Sequence, residues 1–280
     1  MTPAPVAMLA RQRQGDTKVD DPLYLRLLDR LRGFEAVTVA FSGGADSALL
    51  LAAAQAALGD RVLALTAVTP YMVRQEIAAA LALAAQLGVR HELVEMPMPQ
   101  GIEDNPPDRC YLCKRALYTR IIAVAEAAGF APVLDGSNVD DLHDYRPGLR
   151  ALGELGVESP FLGCGIGKAD VRRIARALGL RTWQKPTNTC LLTRLPFGRR
   201  ISMEGLQRIE EAERLLLDRG YDWVRVRAHG DLARIEVAPE LRQRALNEAE
   251  DLIAGLEGLG FRYVTLDLRG YQLGSMNAQV

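Results

Sequence analysis

Residues 37–47 read VTVAFSGGADS, an unbroken apolar and β-branched run that enters Ser42-Gly43-Gly44-Ala45-Asp46-Ser47 and then Ala- and Leu-rich sequence. Such a run is what a strand covered on both faces requires. Two adjacent glycines let the following backbone approach an anion closely. A helix opening at Ser47 adds unpaired N–H groups and a positive dipole end, and Ser42 and Ser47 add hydroxyl donors. The stretch predicts a strand, a phosphate-binding loop and a helix, with pyrophosphate as a fitting ligand. It is neither GxxxxGK[ST] nor GxGxxG, because no Lys follows and the glycines are adjacent. The alternative is an ordinary strand-to-helix turn of small residues.

Outward from this loop the same rhythm continues. Strands covered on both faces are expected over 35–41, 61–68, 89–95 and 132–135, and helices over 47–58, 73–87, 110–128 and 168–178. Gly59, Gly88, Gly129 and Gly179 stand where glycine stops helices. A first helix is capped by Asp21 with Pro22 at its first position, and the glycine-rich stretch 153–167 reads as a loop. From about 197 the pattern changes to a helix over 202–219, strands over 223–228 and 232–237, a helix over 239–256 and a strand over 261–268. The expected architecture is α/β: a parallel-sheet domain over 21–196, after a disordered tail over 1–20, followed by a smaller α+β domain over 197–280 with an antiparallel hairpin.

The 280 residues are 49% apolar and 25% charged, which suits a compact globular chain and excludes collagen-like, coiled-coil and disordered classes. No apolar run approaches the ~18 residues of a membrane span, and the first twenty residues do not read as a secretion signal. A cytoplasmic protein with no membrane partner is expected. The net charge of −1 supplies no field for nucleic acid. Over 199–280, 12 Arg and no Lys stand against 14 acids, so no nucleic-acid partner is expected there. Four cysteines are too few for a disulfide scaffold.

After a strand, SGGADS resembles the SGGxDS signature of PP-loop ATP pyrophosphatases, which implies a Rossmann-like, adenine nucleotide α-hydrolase-like domain that cleaves ATP between its α and β phosphates. By that resemblance Ser42, Gly43, Gly44 and Ser47 bind ATP, and Asp46 helps hold Mg²⁺. Asp135-Gly136-Ser137-Asn138 with Asp140 and Asp141 resembles the G[TS]NxDD segment of sulfur-inserting members, adding Ser137, Asn138 and Asp141 to the ATP site; a plain Asx-rich turn is the alternative.

Cys110 and Cys113 in DRCYLCKRALY share one face at the start of a predicted helix, where thiolates are favoured. The pair fits half a zinc site, a redox pair, a cluster or chance. Cys190 lies in KPTNTCLLTR, and Cys164 in FLGCGIG is either a fourth ligand or a small buried thiol. The PP-loop, RCYxCK, DGSNxDD, KPxxxCLxxR and RVRxHGDxARIE, in this order from Leu23 to Leu268, together resemble the LarE family of ATP-dependent sulfur transferases that build the nickel-pincer cofactor of lactate racemase. The resemblance implies adenylylation of a carboxylate of pyridinium-3,5-biscarboxylic acid mononucleotide, a small nucleotide-like dicarboxylate, and its conversion to a thiocarboxylate. One branch takes sulfur from a cysteine at the position of Cys190, leaving dehydroalanine. The other holds a [4Fe-4S] cluster on three cysteines and needs sulfide or a sulfur-donor system. Cys110, Cys113 and Cys190 favour the cluster branch, since three thiolates leave one iron without a protein ligand. Lys114 and Arg194 are implied contacts of phosphate or adenylate, and a homo-oligomer is implied as well.

In the second domain, alternation puts Arg225 and Arg227 on one face of their strand and Arg234 and Glu236 on one face of the next. That hairpin face suits a phosphate- and carboxylate-bearing substrate, or is simply solvated. Glu213 falls near the middle of an apolar helical arc. With Glu236 it is a candidate divalent-ion ligand, which the LarE resemblance supports at both positions, or it forms a salt bridge to Arg225 or Arg227. The rival functions are a tRNA-thiolating PP-loop enzyme, a zinc-stabilised PP-loop synthetase and a nucleotide-binding module that does not turn over.

Overall fold

The computed structural model describes residues 19–143, 147–185 and 189–271. The tail expected over 1–20 falls outside these, except for residues 19 and 20. Helix α1 (Pro22–Arg32) opens as expected, with the Asp21 carboxylate accepting from the backbone N–H groups of Leu23 and Tyr24. Strands β1 (Val37–Ala40), β2 (Val62–Val68), β3 (Arg90–Glu95) and β4 (Val133–Leu134) alternate with helices α2 (Ala45–Leu58), α3 (Arg74–Leu87) and α4 (Arg109–Ala128). They form a wholly parallel sheet in the order β3-β2-β1-β4. Because the order runs outward from β1 in both directions, the carboxyl ends of β1 and β4 lie beside a topological switch point, where open α/β sheets bind ligands. Strand β3 lies at an edge and is half exposed, unlike the two-sided burial expected for all four strands. The glycine-rich stretch is not one loop: α5 (Pro147–Glu154) ends in it, and α6 (Pro160–Cys164) forms a turn packed on α1 before α7 (Lys168–Ala177).

The second unit contains α8 (Met203–Asp218), the antiparallel pair β5 (Arg225–His229) and β6 (Leu232–Glu236), short helices α9 (Arg242–Asn247) and α10 (Ala249–Gly258), and β7 (Tyr263–Leu266), which runs parallel to β6. The helix expected over 239–256 is interrupted at Glu248, which ends α9 and precedes α10. The apolar face of α8, with Leu206, Ile209, Ala212 and Leu216, packs with Val226, Ile235 and Phe261, and the same core takes in Tyr71, Ile102, Leu191 and Leu192 from the chain that precedes it. The two units therefore share packing at the segments that carry the cysteines.

That junction is held by charge as well as by apolar area. Arg194 is fully buried, and its Nε and Nη2 donate to the two carboxylate oxygens of Glu213, each at 2.9 Å. A bidentate buried pair of this kind is strong only while both partners are present. Glu213→Ala is expected to lower the unfolding free energy by about 3–5 kcal/mol. Urea titration measures this, and a loss below about 1 kcal/mol would show that the junction does not depend on the pair.

Candidate active site

The phosphate loop forms as its sequence predicts. Gly43 has a φ of +72°, and a side chain there would meet Ala80 of α3 at 3.1 Å, so only glycine suits the turn. Ser42 and Ser47 share a hydrogen bond of 3.0 Å across the loop, and Ser47 Oγ also accepts from the Ser42 N–H. Gly44 caps α2 with no side-chain hydrogen bond of its own, while in the first turn the Asp46 carboxylate accepts from its own backbone N–H. After β4 the backbone passes very close to α2: a Cβ on Gly136 would stand 3.1 Å from the Asp46 carbonyl carbon and the Ser47 nitrogen. This approach brings Asn138 Nδ2 to donate to Asp46 Oδ1 at 2.9 Å, while Asp141 accepts from the Asn138 N–H. Ser137 instead donates to Asp135 Oδ2 at 2.6 Å, away from the phosphate loop. Burial is the main cause raising the Asp46 carboxyl, and the Asn138 hydrogen bond works against it.

A cavity of about 260 Å³ opens over this loop. Ser42, Gly44, Asp46, Asp141, Lys168 and Lys185 line it, and so do Thr189 and Cys190. Lys168 Nζ lies 3.1 Å from Asp141, and Lys185 Nζ donates to the Gly43 carbonyl at 3.0 Å and pairs with Glu76. Carboxylates at Asp46 and Asp141 beside two lysines are the donor set that Mg²⁺ and a polyphosphate require. Lys168 and Lys185 had no assigned role in the sequence reading, although Lys185 opens the KPTNTC motif and Lys168 opens a helix.

Cys190 lines the cavity and lies near enough to Cys113 and Cys110 for their charges to act on one another. Cys113 and Cys190 pack against the same core, Tyr71 Oη shares a 2.9 Å hydrogen bond with Cys113 Sγ, and the Tyr71 carbonyl accepts from the Leu191 N–H at 2.9 Å. Tyr71, which no sequence signal singled out, thus ties the two cysteine segments together. Burial pushes the Cys113 thiol up to about 11, helped by the charges of Cys190 and Cys110 and opposed by the Tyr71 hydrogen bond. Burial likewise raises Cys190, with Cys110 adding to the effect and Arg109 and Arg194 opposing it. Burial therefore favours the thiol form at Cys113 and Cys190, and thiolates there need a cation beside them. In donor type the site suits a soft metal ion or cluster. Cys110 is exposed, and among the described residues no group of three or more His, Cys, Asp or Glu side chains stands at metal-holding spacing. Cys164 belongs elsewhere: it is buried in the core beneath α1, its carbonyl facing Arg26.

The arginines and glutamates of the second unit come together, but inside the protein rather than on a solvated face. Arg225 and Arg227 are buried, Arg227 pairs with Glu236 at 2.8 Å, and Arg234 reaches the same carboxylate at 3.1 Å. Both carboxylates nominated for a divalent ion are thus engaged by guanidinium groups, the salt-bridge arrangement that the sequence left open, although with Arg194 as the partner of Glu213. Arg194 Nη1 donates to the Thr189 and Cys190 carbonyls at 2.7 and 3.1 Å. Its position is that of a residue shaping the Cys190 loop rather than an open substrate contact. Arg227 Nη1 donates to the Thr193 carbonyl at 2.8 Å and supports the same loop. Lys114 packs its stem against Gly148 and sets its ammonium over the Tyr118 ring, outside the cavity lining.

The NAD synthase family model matches residues 23–105, the part that contains the phosphate loop. A pyridinium-3,5-bisthiocarboxylic acid mononucleotide synthase from Lactiplantibacillus plantarum is 39% identical over 255 residues, covering 90% of this chain and 92% of that one. Uncharacterised proteins of Synechocystis and Methanocaldococcus jannaschii are 43% and 36% identical, over 89% and 84% of this chain and 96% and 90% of their own lengths.

The close approach of Gly136 to α2 makes a direct test of the nucleotide site. Gly136→Ala is expected to displace the β4 loop from Asp46 and weaken binding of a non-hydrolysable ATP analogue by about tenfold or more, an overpacking effect of 1–3 kcal/mol. Calorimetric titration checks this, and wild-type affinity in a folded variant would contradict the placement of the site.

Proposed function

We propose, for a chain that belongs to the LarE family of PP-loop enzymes, that it adenylylates a carboxylate of pyridinium-3,5-biscarboxylic acid mononucleotide and replaces the adenylate with sulfur. The observation that carries this reading is that Cys190 and the SGGADS loop line one cavity. A phosphate-activating site and a thiol that face the same space suit an acyl adenylate formed and then captured by sulfur.

The chain's own groups divide the work as follows. The first-turn N–H groups of α2, with Ser42 and Ser47, hold the departing pyrophosphate, and Lys168 and Lys185 balance its charge. Asp46 and Asp141 would hold Mg²⁺, which supplies Lewis-acid stabilisation of the phosphates when bound. A substrate carboxylate oxygen attacks the α-phosphorus, pyrophosphate leaves, and the mixed anhydride presents its carbonyl carbon to sulfur. Attack there expels AMP and leaves the thiocarboxylate. Arg225 and Arg227 are the proposed recognition groups for the substrate's phosphate or carboxylates.

Cys110, Cys113 and Cys190 would hold a [4Fe-4S] cluster, which supplies the transferred sulfide when bound and is recharged by sulfide or a sulfur-donor system. In a second reading Cys190 Sγ attacks the carbonyl carbon and expels AMP to give a thioester, and loss of the Cys190 Cα proton with cleavage of its Cβ–Sγ bond then releases the thiocarboxylate and leaves dehydroalanine; it is favoured by one observation, that Cys190 is the only one of the three in the cavity lining. In either reading the product serves maturation of a nickel-pincer enzyme such as lactate racemase, and the chain works as a homo-oligomer.

Two measurements distinguish the readings. Anaerobically purified wild type is expected to contain about four irons and four acid-labile sulfides per chain, lost in Cys190→Ala and kept in Cys164→Ala. Iron-free protein whose Cys190 becomes dehydroalanine on turnover would instead establish the sacrificial route. In both cases Asp46→Asn is expected to abolish substrate-dependent pyrophosphate release, and release at the wild-type rate would contradict the assigned ATP site.

A further inference from the structure

Among the described residues, three carboxylates and three cations line the cavity over the phosphate loop: Asp46, Glu76 and Asp141 against Lys168, Arg172 and Lys185. Asp46 and Asp141 are the Mg²⁺ pair of the proposed chemistry, and Lys168 and Lys185 balance the phosphates. Glu76, in the first turn of α3, is left over, and a carboxylate that faces a polyanion site opposes its ligand. Its partner accounts for its place. Arg172 of α7 donates through Nη1 and Nη2 to the Trp183 and Lys185 carbonyls at 2.9 and 3.4 Å, which pins the Lys185 backbone to α7. From there the Lys185 side chain reaches toward α3, where Nζ pairs with Glu76 and donates to the Gly43 carbonyl at 3.0 Å. Gly43 itself lies against α3, at Ala80. The Lys185 and Glu76 side chains are 21% and 23% exposed, so solvent screens this pair less than one on the open surface. In the empty pocket the ammonium is thus held between a carboxylate and a carbonyl of the loop that is to receive phosphate.

We propose that Glu76 is a positioning residue that parks the Lys185 ammonium on the phosphate loop while the pocket is empty, and that a bound polyphosphate takes the ammonium from it. The inference rests on the reading of Lys185 as a phosphate contact and adds to it the residue that competes for that contact. A polyphosphate on the same loop offers the ammonium a denser negative charge than one carboxylate does. The parked state competes with the binding-competent one, so the apparent affinity falls with the fraction of molecules in which Lys185 is parked. Return of the ammonium to Glu76 then favours departure of pyrophosphate after the substrate is activated. Glu76 acts through Lys185 and touches no reacting atom.

The test is calorimetric titration of the full chain with inorganic pyrophosphate in the presence of Mg²⁺, for wild type, Glu76→Gln, Lys185→Met and the double variant. Glu76→Gln keeps the shape of the side chain and removes its charge, and it is expected to bind pyrophosphate about threefold or more tightly than wild type, the scale of releasing one partly shielded ion pair. Lys185→Met is expected to bind about tenfold more weakly, the scale of one charge-assisted phosphate contact. The gain from Glu76→Gln is expected to shrink in the Lys185→Met background, because there is then no ammonium to release. Unchanged or weaker binding in Glu76→Gln overturns the proposal, since a carboxylate that holds Lys185 in its working position lowers affinity when removed. An equal gain in both backgrounds overturns it as well, by showing only a through-space repulsion. Wild type that binds no pyrophosphate, or Lys185→Met that binds it as tightly as wild type does, refutes the reading of Lys185 as a phosphate contact and the inference with it.

Discussion

The buried guanidinium of Arg194 is the constraint on which the rest of the site depends. Its two-point bond to Glu213 anchors α8, and its remaining donors reach the carbonyls of Thr189 and Cys190. One side chain thereby fixes the backbone around the Cys190 thiol and the seam between the two sheets. Glu213 also accepts from the Val226 N–H, so β5 joins the same network. Burying this ion pair is costly in itself, and its value lies in specifying one arrangement of three segments that apolar packing alone would leave free to slide.

From that anchor the chemistry follows by position. The parallel sheet places the loops after β1 and β4 together at the switch point, and the Asn138–Asp46 hydrogen bond locks them. The chain between β2 and α3 then serves both sides of the cavity: Met72 and Val73 line it, while Tyr71 holds Cys113 and the segment after Cys190. Occupancy of the nucleotide pocket and placement of the thiols thus share one short backbone segment. Cys164, buried beneath α1, takes no part in this.

Much of this was legible in the sequence, where the signal is local. VTVAFSGGADS specifies strand, loop and helix within eleven residues, Asp21-Pro22 specifies a helix start, and the alternation of 225–236 specifies a hairpin. The two-sided burial expected of 89–95 failed because Arg90, His91, Glu92 and Glu95 interrupt its apolar residues, a composition that suits the half-exposed edge position β3 takes. The glycines of 153–167 concealed α6, whose support comes from α1 and not from its own propensity. Arg194 read as a substrate contact because its partner Glu213 lies 19 residues away, and Tyr71 was invisible because it meets Cys113 across 42 residues. Glu213 itself was legible as an inward carboxylate, but only the folded chain identifies its partner.

The central claim is that this chain activates a carboxylate as its adenylate beside the cysteine thiols. Substrate labelled with ¹⁸O in its carboxylate groups, turned over with unlabelled ATP and analysed by mass spectrometry of the AMP formed, tests this most directly. One ¹⁸O per AMP is the predicted result, because the carboxylate oxygen that attacks the α-phosphorus leaves with it when sulfur displaces the adenylate. Unlabelled AMP, formed together with thiocarboxylate, would contradict it.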